Sequence, residues 1–332
     1  DRVALCLRNG AKANQETRTG ATAMSAVIKK LGMPIQMATE ESYQDDINGE
    51  NVLKFLLTNA IDQANANHEN KNGVTLSMFA ARAFSNNPRV LALLLDHGAD
   101  KNVESSKGST LLLDALQFGC DDAVDLLIVE GVDVNYETRK NTAEVLTPLI
   151  LAAKRGSVFQ IEQLLAAGAD INYETKAGET ALMAAVSASR ADHVSALMSI
   201  GNADANYEVK HGKTKGDTAI VLAGRLGHKD VIQRLISSHN VDPSRGLSDK
   251  TTPLIRAVVD EDADAVKHML LAGVPINVES AEGYTPLVEA AKKPSRMRCL
   301  EALCDFDASI VDFETSRDFS ALHEACKVGN EE

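Results

Sequence analysis

The chain has 332 residues, 44% apolar and only 4% aromatic, with no Trp and a formal net charge of −13; so few bulky side chains suit thin helix pairs packed by Leu, Val and Ala. No run reaches the ~18 consecutive apolar residues of a membrane span, and the opening residues carry neither the basic stretch nor the apolar core of a secretory leader, so direct membrane insertion of this segment is not expected. The five cysteines (Cys6, Cys120, Cys299, Cys304, Cys326) are odd in number, without a C-x-x-C pair or a histidine at ligand spacing, which points to free buried thiols in a reducing compartment and to no metal site.

In chain order, residues 1–14, DRVALCLRNGAKAN, read as an outer helix closing on Asn14. From Met33 to about Glu50, MPIQMATEESYQDDINGE interrupts a second unit that ends at Asn67; the stretch is either a mobile loop or a partner hook. VTLSMFAA then begins an inner helix. Val90, Leu91, Leu94 and Leu95, at helical spacing, predict an outer helix that closes on HGADKN at 97–102. Similar endings follow: EGVDVN at 130–135, AGADIN at 167–172, GNADAN at 201–206 and AGVPIN at 272–277. Between them lie starts such as TPLILAAKRG from Thr147 and TPLVEAAKK from Thr285. Their Thr can cap a helix, and Pro148, Pro253 and Pro286 sit early, where a missing N–H costs little. Each unit is predicted as helix, turn, helix, then a polar finger.

The closing positions Asn14, Asn67, Asn102, Asn135, Asn172, Asn206, Ser244 and Asn277 are spaced by 53, 35, 33, 37, 34, 38 and 33 residues. A period near 33 with T-P-L starts and L-L-x-x-G-A-D-x-N ends resembles the ankyrin repeat. Gly178, Thr180, Leu182, Ala184, Ala185, Leu164, Leu165, Gly168 and Asn172 carry one instance of the pattern, and the resemblance covers essentially the whole chain. It implies an all-α solenoid of stacked helix-turn-helix units with projecting hairpin fingers, forming one domain over 1–332. The units are 1–14 (partial), 15–67 with the insertion 33–50, 68–102, 103–135, 136–172, 173–206, 207–244, 245–277, 278–311 and 312–332 (partial). Lacking capping repeats, the chain is expected to be a piece of a longer protein. His239 and Asp307 replace a turn glycine, so those two joints are expected to be strained or rebuilt.

Chemistry is sparse. HGKTKGDT from His211 ends like a phosphate-binding loop, but the required earlier glycine is Tyr207 and no strand precedes it, so it reads as a basic finger. His323, at the histidine position of the resembled repeat, is expected to bond neighbouring backbone. No nucleophile–base pair or metal cluster has usable spacing, and an enzyme or a bound cofactor is not expected.

Two charge patterns remain. The fingers share N-x-E-x-R/K, aligning Glu16, Glu69, Glu104, Glu137, Glu174, Glu208, Glu279 and Glu314 into a ribbon. That ribbon either forms an acidic edge or is neutralised by Arg18, Arg139, Lys176 and Lys210, with Tyr136, Tyr173 and Tyr207 packed between units. The resemblance places the binding face at the fingers and inner-helix ends. The two residues after each inner-helix alanine run are Lys29/Lys30, Arg82/Ala83, Gln117/Phe118, Lys154/Arg155, Ser187/Ala188, Arg225/Leu226, Val259/Asp260, Lys292/Lys293 and Lys327/Val328; nine of these eighteen are basic and one is acidic. They are either cations favoured by the helix dipole or a basic groove for an acidic segment or surface of a protein partner. The finger cations Lys210, His211, Lys213 and Lys215 extend that face.

The function these readings imply is a non-enzymatic protein–protein scaffold or adaptor in the cytoplasm. The alternative is a permanent arm of a larger assembly: a cytoskeletal or ciliary lattice component, or the cytoplasmic region of a channel or multidomain protein. Nucleic acid is disfavoured by the surrounding acidic field. None of these features sets the oligomeric state.

Overall fold

The structure is a computed structural model, and the residues it describes are 67, 69–70, 73–83, 88–139, 145–212, 214–237, 242–243, 246–318 and 320–329. The expected unit 1–14, nearly all of 15–67 with its insertion, His239, and the candidates Lys29, Lys30 and Lys213 lie outside the described residues.

Among the described residues the chain is entirely helical, with no strand. The helices are α1 Leu76–Ala83, α2 Arg89–Asp96, α3 Leu111–Gln117, α4 Asp121–Val129, α5 Pro148–Arg155, α6 Val158–Ala166, α7 Ala181–Ser187, α8 Ala191–Ser199, α9 Ala219–Leu226, α10 Lys229–Ser237, α11 Pro253–Val259, α12 Ala263–Ala272, α13 Pro286–Ala291, α14 Met297–Phe306 and α15 Ala321–Val328. Odd numbers are inner helices and even numbers outer ones, as the sequence pattern requires. None is long and apolar enough to cross a membrane.

The local chemistry explains where the inner helices begin. The hydroxyls of Thr110, Thr180, Thr252 and Thr285 accept the amides of Leu113, Met183, Ile255 and Val288, and Ser320 does the same for His323. Each bond satisfies an orphan amide of the first turn and is worth about 1 kcal/mol. Pro253 and Pro286 stand in the first turn of their helices, as read from the sequence.

Inner helices α3, α7 and α11 are buried nearly all round, as in the Ala181–Val186 run of α7, whereas α15 exposes Leu322, His323 and Cys326. Outer helices are amphipathic: α10 buries Val231, Ile232 and Leu235 while Lys229, Asp230, Gln233 and Arg234 face out. Alanine at the inner-helix centres, as at Ala152, Ala184, Ala185 and Ala223, lets neighbouring units approach closely.

The joint at Asp307 is rebuilt without a left-handed residue. Asp307 is extended (φ −151°), its carboxylate accepts the Ser309 amide at 2.9 Å, and a 3-10 turn over Ala308–Ile310 follows. An aspartate avoids the strain that a glycine would have absorbed by capping a tighter turn instead.

The chain divides into two compact units, residues 1–152 with 166–169, and residues 153–165 with 170–332. Within the first, α1 packs on α2 and α3, and α3 on α4. Within the second, inner helices stack on inner helices (α7, α9, α11, α13, α15 in succession) and outer on outer (α8, α10, α12, α14). That alternation brings residues one repeat apart into contact, and it is what assembles the faces described next.

Candidate functional site

Most basic residues at the inner-helix ends are held in ion pairs, several of them reaching the next repeat. In the first unit the Arg82 guanidinium lies 2.8 Å from the Asp114 carboxylate and 5.3 Å from the centre of the Phe118 ring. Asp114 is buried and also accepts from the Ser109 hydroxyl at 2.5 Å. Burial pushes its carboxyl above the ordinary range, only partly offset by Ser109 and Arg82.

In the second unit Arg225 reaches Asp217 at 2.6 Å in its own repeat and Asp260 at 3.0 Å in the next. Arg256 then reaches Asp260 at 3.2 Å and Asp249 at 2.7 Å, so the row reads Asp217, Arg225, Asp260, Arg256, Asp249 in alternating sign. Burial raises the carboxyl of Asp217 despite its Arg225 partner. Lys154 meets Glu179 at 3.4 Å, and Lys327 meets Glu324 at 2.7 Å. Lys292 pairs with Glu289 at 2.7 Å and lies 3.1 Å from the centre of the Tyr284 ring. Arg155 and Lys293 are exposed. The cations noted in the sequence are therefore brought together with carboxylates, which were not picked out there. The available signal was spacing: Arg82 and Asp114 are 32 residues apart, and Arg225 and Asp260 are 35, about one repeat.

The glutamate ribbon has a third arrangement that neither sequence reading described. Five of its carboxylates, those of Glu69, Glu104, Glu174, Glu208 and Glu279, clasp the next finger through main-chain amides. Glu69 accepts the Ser106 amide at 2.9 Å, Glu104 the Arg139 amide at 2.8 Å, Glu208 the Ser248 amide at 2.8 Å and Glu279 the Ser316 amide at 2.8 Å. Tyr136 and Tyr207 donate their hydroxyls to Glu104 and Glu174 of the preceding finger, each at 2.7 Å, so these two tyrosines do pack between successive repeats. Arg139 and Lys210 lie over the rings of Tyr136 and Tyr207, at 5.5 and 5.3 Å, and the carboxylates of Glu104 and Glu174 accept from N–H and O–H groups. An extended backbone offers amides at fixed reach, whereas a long cationic side chain would have to be ordered first.

Glu174 is the fullest case. It accepts from the Tyr207 hydroxyl, from the Lys210 amide at 3.0 Å and the His211 amide at 2.8 Å, and sits 3.0 Å from His211 Nδ1. Burial works to raise its pKa but is outweighed by these bonds, so the carboxyl is held below its usual range; burial and the same contact push Tyr207 up to about 12. His211 itself is 62% exposed, and Lys210 and Lys215 are exposed.

His323 is exposed and its Nδ1 lies 2.8 Å from the Ser320 hydroxyl, so it meets the capping side chain rather than neighbouring backbone, a correction that follows from Ser320 holding the cap. His193 is buried; its Nδ1 lies 2.9 Å from the Ala153 carbonyl and its Nε2 3.0 Å from the Arg190 guanidinium, which fixes the proton on Nδ1 because arginine can only donate. Cys120 and Cys299 are buried as expected, but Cys304 is half-buried and Cys326 exposed, because α14 and α15 turn those positions outward.

A family model described as ankyrin repeats (3 copies) matches residues 43–138, 135–210 and 254–332. Alpha-latrocrustotoxin-Lt1a of Latrodectus tredecimguttatus is 27% identical over 93 residues, 26% of this chain and 7% of that protein. Ankyrin repeat and SOCS box protein 2 of Bos taurus is 28% identical over 95 residues, 29% of this chain and 15% of that protein. The crystal structure of the human ASB11 ankyrin repeat domain shares 28% identity and covers 65% of this chain and 92% of that one, with a TM-score of 0.44. The chain thus matches between 7% and 15% of the length of these two curated relatives.

Proposed function

The chain belongs to the ankyrin-repeat family, whose repeats are generally protein–protein interaction modules, and from that premise we propose that it is a non-enzymatic cytoplasmic scaffold or adaptor holding its partner along the fingers and inner-helix ends. The observation that carries the proposal is the glutamate clasp. Each clasp fixes one finger against the next, so side chains at the fingertips are presented in a set register before any partner arrives. A preordered surface loses less conformational entropy on binding, which favours affinity. On the inner-helix ends of the second unit Arg155, Arg225, Lys293 and Lys327 are exposed and Lys154 and Lys292 are half-buried in ion pairs; in the first unit Arg82 is paired with Asp114.

The test is cross-linking mass spectrometry of the native complex, with wild type compared with a variant in which Lys154, Arg155, Lys292 and Lys293 are reversed to Glu. The expected result is a partner cross-linked through its acidic segment to the inner-helix ends and lost in the variant. A partner that stays bound, with cross-links confined to the outer helices, would refute the assignment.

A further inference from the structure

Several exposed cations lie together on two consecutive fingers of the second unit. The turn over 175–178 and residues 211–212 of the longer finger touch backbone to backbone. A Cβ on Gly178 (φ +83°) would stand 2.1 Å from the His211 carbonyl oxygen, and one on Gly212 (φ +74°) would stand 1.9 Å from the Ala177 carbonyl oxygen. Only glycine at both positions allows the approach. Each finger is also closed on itself, by Gly178 N–H to the Thr175 carbonyl at 2.9 Å and by Val209 N–H to the Asp217 carbonyl at 3.0 Å. The two tips thus form one rigid surface.

The charges on that surface are sorted. Lys176, Lys210, His211 and Lys215 are exposed. Four acids in or beside these stretches are each engaged by a partner. Glu174 is 6% exposed and accepts from Tyr207, Lys210 and His211; Glu179 pairs with Lys154 at 3.4 Å; Glu208 accepts the Ser248 amide at 2.8 Å; and Asp217 is 2% exposed against Arg225. Acids engaged by these partners and cations turned outward leave a positive field above the tips.

We propose that these fused fingertips dock a short acidic segment of the partner, its Asp or Glu side chains lying over Lys176, Lys210, His211 and Lys215. The proposal rests on the partner-binding reading above and adds the place and chemistry of one contact. The following fingers expose Asp249, Glu282 and Asp318, so a long polyanion would run off the cations onto like charge. An extended peptide advances ~3.3–3.6 Å per residue and stacked helices lie ~8–10 Å apart, so about four to six residues cover two fingers. A short acidic peptide fits where a nucleic acid strand does not.

The test titrates the full 332-residue chain into fluorescein-labelled hexaglutamate and follows anisotropy at low and physiological salt. Wild type is expected to bind, more weakly as salt rises. The variant K176E/K210E/K215E is expected to lose affinity about tenfold or more, while K229E/K267E on the outer helices changes it by less than about twofold. The single Lys215→Glu change, outside the Glu174 clasp, repeats the test should the triple variant fold poorly. Equal losses in the fingertip and outer-helix variants would reduce the effect to net charge and overturn the proposal, as would tighter fingertip binding of hexathymidylate than of hexaglutamate. A native partner lost by the inner-helix reversal but kept by the fingertip variant would overturn the platform and leave the scaffold reading standing. Hexaglutamate held at the fingertips, with the native partner kept by the inner-helix reversal and lost by the fingertip variant, would support the platform and overturn the inner-helix assignment.

Discussion

Replacing Glu174 by Ala removes one acceptor group from four donors at once: the Tyr207 hydroxyl, the amides of Lys210 and His211, and the His211 ring. Hydrogen bonds to a charged group contribute roughly 1.5–3 kcal/mol each. The Lys210 and His211 backbone lies at an exposed tip where water can replace part of that, so about 2–4 kcal/mol of local stability is expected to go, and about half as much for Glu174→Gln, which keeps an acceptor oxygen. Amide hydrogen exchange reads this directly. A 2 kcal/mol loss lowers protection at residues 210 and 211 about thirtyfold. The pH dependence has a definite sign. Because the folded pKa of Glu174 is depressed, its contribution is present above the ordinary carboxylate range and is lost as pH falls through the lowered value. In the Gln variant the acid-dependent loss of fingertip protection should vanish. Wild-type protection at 210 and 211 in Glu174→Ala would refute the clasp.

Gly178→Ala or Gly212→Ala should each destabilise the second unit by more than about 2 kcal/mol in urea unfolding, since a methyl would meet a carbonyl oxygen, whereas Gly168→Ala (φ +87°), with open space around it, should cost only about 1–2 kcal/mol. Lys250 holds a left-handed backbone (φ +68°) at a fingertip, and Lys250→Gly is expected to raise the thermal midpoint slightly, by about 0.5–1 kcal/mol of stability; a lowered midpoint would contradict the strain argument. His193 is buried with its pKa depressed by desolvation, so folding should weaken as pH drops below the free imidazole range near 6.5, where the unfolded chain takes the proton first. Denaturant melts from pH 7 to 5 should show a shallower slope for His193→Gln than for wild type.

The architecture was legible because the repeat leaves independent traces in each unit: an apolar stripe at helical spacing, a Thr that turns out to cap, and a glycine at the joint. Asp307 was legible as an exception but not in its remedy, since the capped 3-10 turn depends on a carboxylate meeting the amide two residues on. The charged face was legible only as a list of cations. Arg82 and Arg225 look available in one dimension because Asp114 and Asp260 lie a repeat away, and only stacking reveals the alternating row. The finger glutamates mislead for the same reason. For five of them the partners include main-chain amides, which every residue but proline carries and no composition can mark.

The central claim, that a protein partner is held on the fingers and inner-helix ends, is tested most directly by lysine footprinting of the native complex against the isolated chain. Lys154, Lys176, Lys210, Lys215, Lys292 and Lys293 sit on those two faces, while Lys229 and Lys267 mark the outer helices as an internal reference. Protection of the first set with the reference pair unchanged is the predicted result. Protection of Lys229 and Lys267 with the fingertips still reactive would place the partner on the outer helices and contradict the account.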